Sequence, residues 1–125
     1  SRVGDPLRDV SIDRMRPAHL DRIARKFPTL SLIGAHLGNP WYDEAGEVAR
    51  MHPNVYFDLT GSTMKKKSPE FLSEVFWWAK NEQYGKMGDK HPYEKIVFGT
   101  DVSLDLMEDV LNDYRAFFHH VNMSF

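Results

Sequence analysis

His36 closes the apolar run Leu32-Ile33-Gly34-Ala35, and the breakers Gly38-Asn39-Pro40 follow almost at once. Asp101 closes a second run of the same grammar, Ile96-Val97-Phe98-Gly99-Thr100. A neutral imidazole and a carboxylate are ligands for a divalent metal such as zinc, and they are equally good acid–base groups. A metal-activated water needs a nearby base, and a carboxylate that also touches the ion serves that purpose. Two groups alone hold an ion weakly, because a catalytic zinc takes about three protein ligands and keeps one position open. Residue types leave a second reading on level terms: a core histidine satisfied by its neighbours, and an aspartate that caps a turn. Asp58 lies inside a strand-like stretch, where a hydrogen bond to a neighbouring strand or loop would satisfy it.

Both runs are short, apolar and bounded by turn signals, the pattern of fully buried strands in parallel sheets. Strand ends of that kind are where α/β sheets and barrels carry their chemistry. The first strand is expected over Leu30 to Ala35. Asn54 to Thr60 reads as the second, with Val55, Phe57 and Leu59 on one face and Tyr56, Asp58 and Thr60 on the other. Tyr93 to Phe98 reads as the third.

Helices fill the intervals. Residues 1–15 read as a loop, and Pro17 then stands at a first helical position, with Leu20, Ile23, Ala24 and Phe27 on one apolar face. Ala45, Val48 and Ala49 mark a short helix that Pro53 ends. Residues 62–68 read as loop, and the run Lys65-Lys66-Lys67 as its solvated surface. Ser68-Pro69-Glu70 starts a helix that buries Leu72, Val75, Phe76 and Ala79. Gly85, Gly88 and Pro92 mark a loop. Asp105, three residues before Glu108, resembles a capping box for a last helix with Met107, Val110, Leu111, Tyr114, Phe117 and Phe118 inward. The other histidines are weaker candidates: His19 on a helix surface, His52 and His91 before prolines, His119 and His120 at a helix end.

The alternation α-β-α-β-α-β-α implies a parallel sheet. A complete (β/α)8 barrel takes about 250 residues, so the 125 residues here are close to half of one. No glycine-rich phosphate loop occurs, which argues against a nucleotide-binding sheet. With 42% hydrophobic residues and a net charge of −2, the composition is that of a globular domain without a nucleic-acid surface. No apolar run reaches the roughly 20 residues of a membrane span. The absence of cysteine excludes disulfides and thiolate sites and fits a cytoplasmic setting. The first residues lack both a signal-peptide core and an initiator methionine, and neither end reads as a natural terminus.

Three stretches in order sharpen the reading. Phe27-Pro28-Thr29-Leu30 with Ile33-Gly34-Ala35-His36-Leu37-Gly38, then His52 to Gly61, then Ile96 to Asp101, resemble the amidohydrolase-related metal-dependent hydrolases. This TIM-barrel group includes aminocarboxymuconate-semialdehyde decarboxylase. The resemblance implies an α/β fold in which residues 1–125 form a partial domain, the C-terminal half of a barrel with strands six to eight. It implies that His36 and Asp101 are both catalytic and metal-binding, that Asp58 is structural, and that the cofactor is a divalent metal, zinc foremost. It also implies a small-molecule substrate, with metal-activated water attacking an ester, lactone or amide carbonyl. Non-oxidative decarboxylation on the same scaffold is the alternative, with His36 as the acid–base group. The family's H-x-H pair and a further histidine are not in this sequence and are expected upstream of Ser1. Val102-Ser103 also replace an aromatic and a proline that often follow the strand-eight aspartate. A non-catalytic alternative is a truncated barrel that forms a homo-oligomer through its exposed sheet edges.

Overall fold

A computed structural model describes residues 12–61, 63–81 and 91–123. Most of the opening loop, Ser62, Gly85, Gly88 and the last two residues lie outside the described residues. In chain order the structure has α1 (Ala18–Lys26), β1 (Leu32–Gly34), α2 (Tyr42–Met51), β2 (Val55–Asp58), the single turn α3 (Thr63–Lys66), α4 (Pro69–Val75), β3 (Ile96–Val97) and α5 (Met107–His120). The strands lie side by side in the order β1-β2-β3, and both pairings are parallel. The fold is therefore α/β, as expected.

Local chemistry accounts for the helices. The Ser68 hydroxyl accepts from the Phe71 N–H at 3.1 Å, and Pro69 opens α4 at no cost in hydrogen bonds. Pro17 precedes α1 rather than lying within it, and it offers no side-chain cap. Glu44 on α2 takes that place: its carboxylate accepts from the Ala18 N–H at 3.1 Å and pairs with Arg16 at 2.6 Å.

One face of the sheet makes the core. Val55, Phe57 and Leu59 are buried, and Val48, Leu72, Val75, Phe76, Tyr114 and Phe117 from the helices pack into the same cluster. Phe57 pairs with Gly34 on one side and Ile96 on the other. Its ring lies across Gly34, where a side chain would collide with it. Asn54 ties the end of α1 to this sheet by donating to the Leu30 carbonyl at 2.9 Å and the Phe27 carbonyl at 3.2 Å.

The structure departs from the sequence expectations at several elements. β1 is not fully buried: Ile33, on the other face, is 62% exposed. Period-2 alternation sends it away from the helices, and a run of apolar residues reads alike whether one face or both are covered. β3 is two residues long because Pro92–Lys95 form a 3-10 turn, capped by the His91 ring. The stretch after Gly61 is not all loop, since Thr63–Lys66 make a helical turn. Asp105 does not cap α5; it accepts from the Ser103 hydroxyl at 2.6 Å, and α5 begins without a side-chain cap. Ile23, Phe27 and Met107 are exposed rather than inward.

Candidate active site

The turn after β1 aims His36. His36 (φ 58°), Leu37 (φ 47°) and Gly38 (φ 66°) are successive left-handed residues. That conformation costs about 1–2 kcal/mol for each non-glycine residue, so the surroundings must hold it. Leu37 is fully buried in the core. The His36 N–H donates to Asp58 Oδ1 at 2.9 Å, and the His36 carbonyl accepts from the Thr63 hydroxyl at 3.1 Å. At Gly38 a side chain would strike Pro17 and Ala45. The chain reverses here in so little space that the imidazole stays at the strand end while Leu37 turns inward.

Asp58 closes β2 as the hub of the neighbouring strand end. Besides the His36 N–H, its Oδ1 accepts from the Thr60 N–H at 3.0 Å and the Thr60 hydroxyl at 2.7 Å. The Thr60 hydroxyl oxygen in turn lies 2.9 Å from His36 Nδ1. Gly61 (φ 64°) leaves room for the ring, because a methyl there would run into His36 Nδ1. Asp58 is thus satisfied by its neighbours, as its position inside a strand suggested.

Asp101 arrives from beyond β3, itself left-handed at φ 50°. Its Oδ2 stands 3.8 Å from His36 Nε2, and the two side chains are 61% and 39% exposed. The structure therefore brings together the two residues singled out in the sequence. The separation is too long for a hydrogen bond. The donor chemistry, an imidazole nitrogen and a carboxylate oxygen, fits a divalent ion, but with two ligands where about three are needed. Among the described residues no group of three or more His, Cys, Asp or Glu side chains is placed to hold a metal ion.

Tyr114 from α5 holds the end of this wall. Its hydroxyl accepts from the Leu59 N–H at 2.9 Å and donates to the Val97 carbonyl at 3.2 Å, bridging β3 to the residue that follows β2. Burial raises its pKa above the ordinary 10.0, against the hydrogen bond from Leu59. Its inward position was legible from helical spacing; its bridging hydroxyl was not. Lys95 was missed as well: it is buried, with its ammonium on the His52 carbonyl at 2.6 Å and over the Tyr56 ring.

The remaining histidines lie elsewhere. His52 is buried and its Nε2 bonds Asp21 at 2.6 Å. That bond, chiefly, lowers the Asp21 pKa from 3.8, with partial burial opposing it and the charge of Arg25 adding to it. The bond from Arg16 likewise lowers Glu44 from 4.5, helped by the Ala18 N–H. His19 is exposed on the Asp13 carbonyl, His91 accepts from the Tyr93 N–H, and His120 faces Glu70 at 3.9 Å.

A parallel sheet with helices on one face and polar groups at its strand ends defines an α/β unit of the kind found in barrel enzymes. The chain belongs to the amidohydrolase family, whose sequence profile matches residues 6–120. That family consists generally of hydrolases, typically dependent on a divalent metal, so the resemblance drawn from three short stretches holds across most of the chain. Protein fluG of Emericella nidulans is 35% identical over 51 residues, which is 41% of this chain and 6% of that protein. The chain thus spans a small fraction of that relative's length. No solved structure matches it significantly. No helix among the described residues is long and apolar enough to cross a membrane.

Proposed function

We propose that this chain is the C-terminal half of a (β/α)8 barrel, with β1 to β3 as strands six to eight, in a metal-dependent hydrolase acting on a small-molecule ester, lactone or amide. The approach of His36 to Asp101 carries the reading. The open sheet face that shows Ile33 supports it, since the remaining strands of a barrel would cover that face. His36 and Asp101 would hold the ion, zinc in the first instance, with further ligands from outside these residues. Asp58 is no candidate ligand through Oδ1, which already accepts three hydrogen bonds.

A bound divalent ion supplies Lewis-acid polarisation of the carbonyl and lowers the pKa of water. Asp101, the more open carboxylate, takes the proton as the water oxygen forms its bond to the carbonyl carbon. His36 orients the reacting groups through Nε2. The bond to the leaving oxygen or nitrogen then breaks, and the proton held by Asp101 passes to that group.

The test is hydrolysis of a panel of esters, lactones and amides by the protein that contains this chain. Chelation should abolish turnover and zinc restore it, and Asp101→Asn should lower kcat by at least about 100-fold, as for loss of a catalytic base. Full activity after chelation, or in both Asp101→Asn and His36→Asn, overturns the reading. Release of carbon dioxide in place of hydrolysis products replaces it with the decarboxylase on the same scaffold.

A further inference from the structure

We infer that Thr60, held by Asp58, is a positioning residue that places the neutral His36 proton on Nδ1, leaving Nε2 as an acceptor that faces Asp101. The protons around one oxygen, Asp58 Oδ1, decide the assignment. Asp58 Oδ1 lies within hydrogen-bond distance of the His36 N–H, the Thr60 N–H and the Thr60 hydroxyl, at 2.9, 3.0 and 2.7 Å. Backbone amides only donate, so this oxygen accepts from both and bears no proton itself. A hydroxyl has one proton, and that of Thr60 is used on Asp58. What Thr60 then presents to His36 Nδ1 at 2.9 Å is a lone pair. Nδ1 must supply the proton, and a neutral ring protonated there has its free lone pair on Nε2.

The opposite assignment turns the Thr60 hydroxyl toward Nδ1. It sets the lone pairs of Thr60 Oγ1 and Asp58 Oδ1 against each other at 2.7 Å with no proton between them. The alignment is fixed from several sides. Asp58 holds the His36 backbone as well as Thr60, Thr63 holds the His36 carbonyl, and Gly61 leaves space for the ring beside Thr60. In the free side chain Nε2 carries the proton more often, so this network works against the intrinsic preference.

The consequence rests on the proposed hydrolase reading, although the proton position itself does not. Neutral His36 serves that site at Nε2 as a ligand. It does not serve as a donor to a carbonyl oxygen.

The proton is read directly by long-range proton–nitrogen NMR of the metal-free, 15N-labelled chain at a pH of about 8, above the ordinary imidazole pKa. The His36 signals are identified by their loss in His36→Asn. Nδ1 should give the shift of a protonated nitrogen and Nε2 that of an unprotonated one. Thr60→Val, which keeps the shape and removes the hydroxyl, should shift the population toward protonated Nε2, and Thr60→Ser should restore the native pattern. Thr60→Ala serves the same purpose if the valine variant loses its dispersed amide spectrum. An unprotonated Nδ1 in the native chain overturns the inference, as does a native pattern in the variants without the hydroxyl. A native pattern as expected in a protein whose hydrolysis survives chelation upholds Thr60's role and removes the hydrolase reading alone.

Discussion

His36 Nε2 and Asp101 Oδ2 approach to 3.8 Å although they come from the two edge strands of the sheet, with β2 between them. Nothing local in sequence joins them. Three successive left-handed residues throw the histidine one way, a left-handed aspartate returns from the other side, and the Asp58–Thr60 pair at the end of the middle strand steadies the ring.

That convergence predicts weak metal binding with a definite dependence on both residues. Zinc titrated into the 125-residue chain should bind weakly, with two of about three ligands present. His36→Asn and Asp101→Asn should each weaken it further by at least the 10–100-fold that even outer partners of a metal site cost. Isothermal calorimetry reads this, and tight binding that survives both substitutions contradicts the pairing.

The Tyr114 hydroxyl bridges Leu59 and Val97 in a buried setting. Tyr114→Phe leaves a backbone donor and a backbone acceptor unpaired, which costs about 1–3 kcal/mol in urea unfolding. Hydrogen exchange at the Leu59 amide should speed up in the same variant. An unchanged exchange rate there would mean that the sheet end does not depend on α5.

Gly61→Ala combines a left-handed backbone with a collision at the His36 ring. The backbone contribution is about 1–2 kcal/mol, and the ring must also leave Thr60. Destabilisation should therefore accompany a displaced His36 imidazole signal, and a stable variant with native His36 shifts contradicts the packing.

Acid should destabilise the fold in part through two carboxylates that tie elements together. Asp21 and Glu44 both have folded-state pKa values below their ordinary 3.8 and 4.5, chiefly through the bonds from His52 and Arg16. A depressed carboxylate stabilises the fold above its unfolded-state pKa, and that share is lost as pH falls through the folded-state value. Thermal midpoints should hold from neutral pH to about 4.5 on account of these two groups and then drop. Asp21→Asn and Glu44→Gln should flatten the drop. Equal slopes in the variants would assign acid sensitivity to other groups.

The three strands, the alternating face Val55-Phe57-Leu59 and the Ser68 cap were legible because hydrophobic period and capping chemistry are local. So was the meeting of His36 with Asp101, since parallel strands open on one side. The shortness of β3 was not legible: Tyr93 and Lys95 have strand-like neighbours, but Pro92 with its His91 cap winds them into a turn. The roles of Lys95 and the Tyr114 hydroxyl were hidden for another reason. Their partners are backbone groups distant in the chain, which no side-chain pattern records. Exposure of Ile33 depends on what covers the sheet, and that is not written in the strand itself.

The left-handed turn at His36 also governs how that residue can be replaced. Each substitution alters a ring and a backbone preference together. Alanine removes the imidazole and strains the turn further, whereas asparagine, which adopts positive φ more readily, keeps the reversal and the burial of Leu37. Loss of function in His36→Ala would therefore mix two causes. The same loss in His36→Asn belongs to the imidazole, and the route by which natural variation leaves this position should run through asparagine, aspartate or glycine before any aliphatic residue.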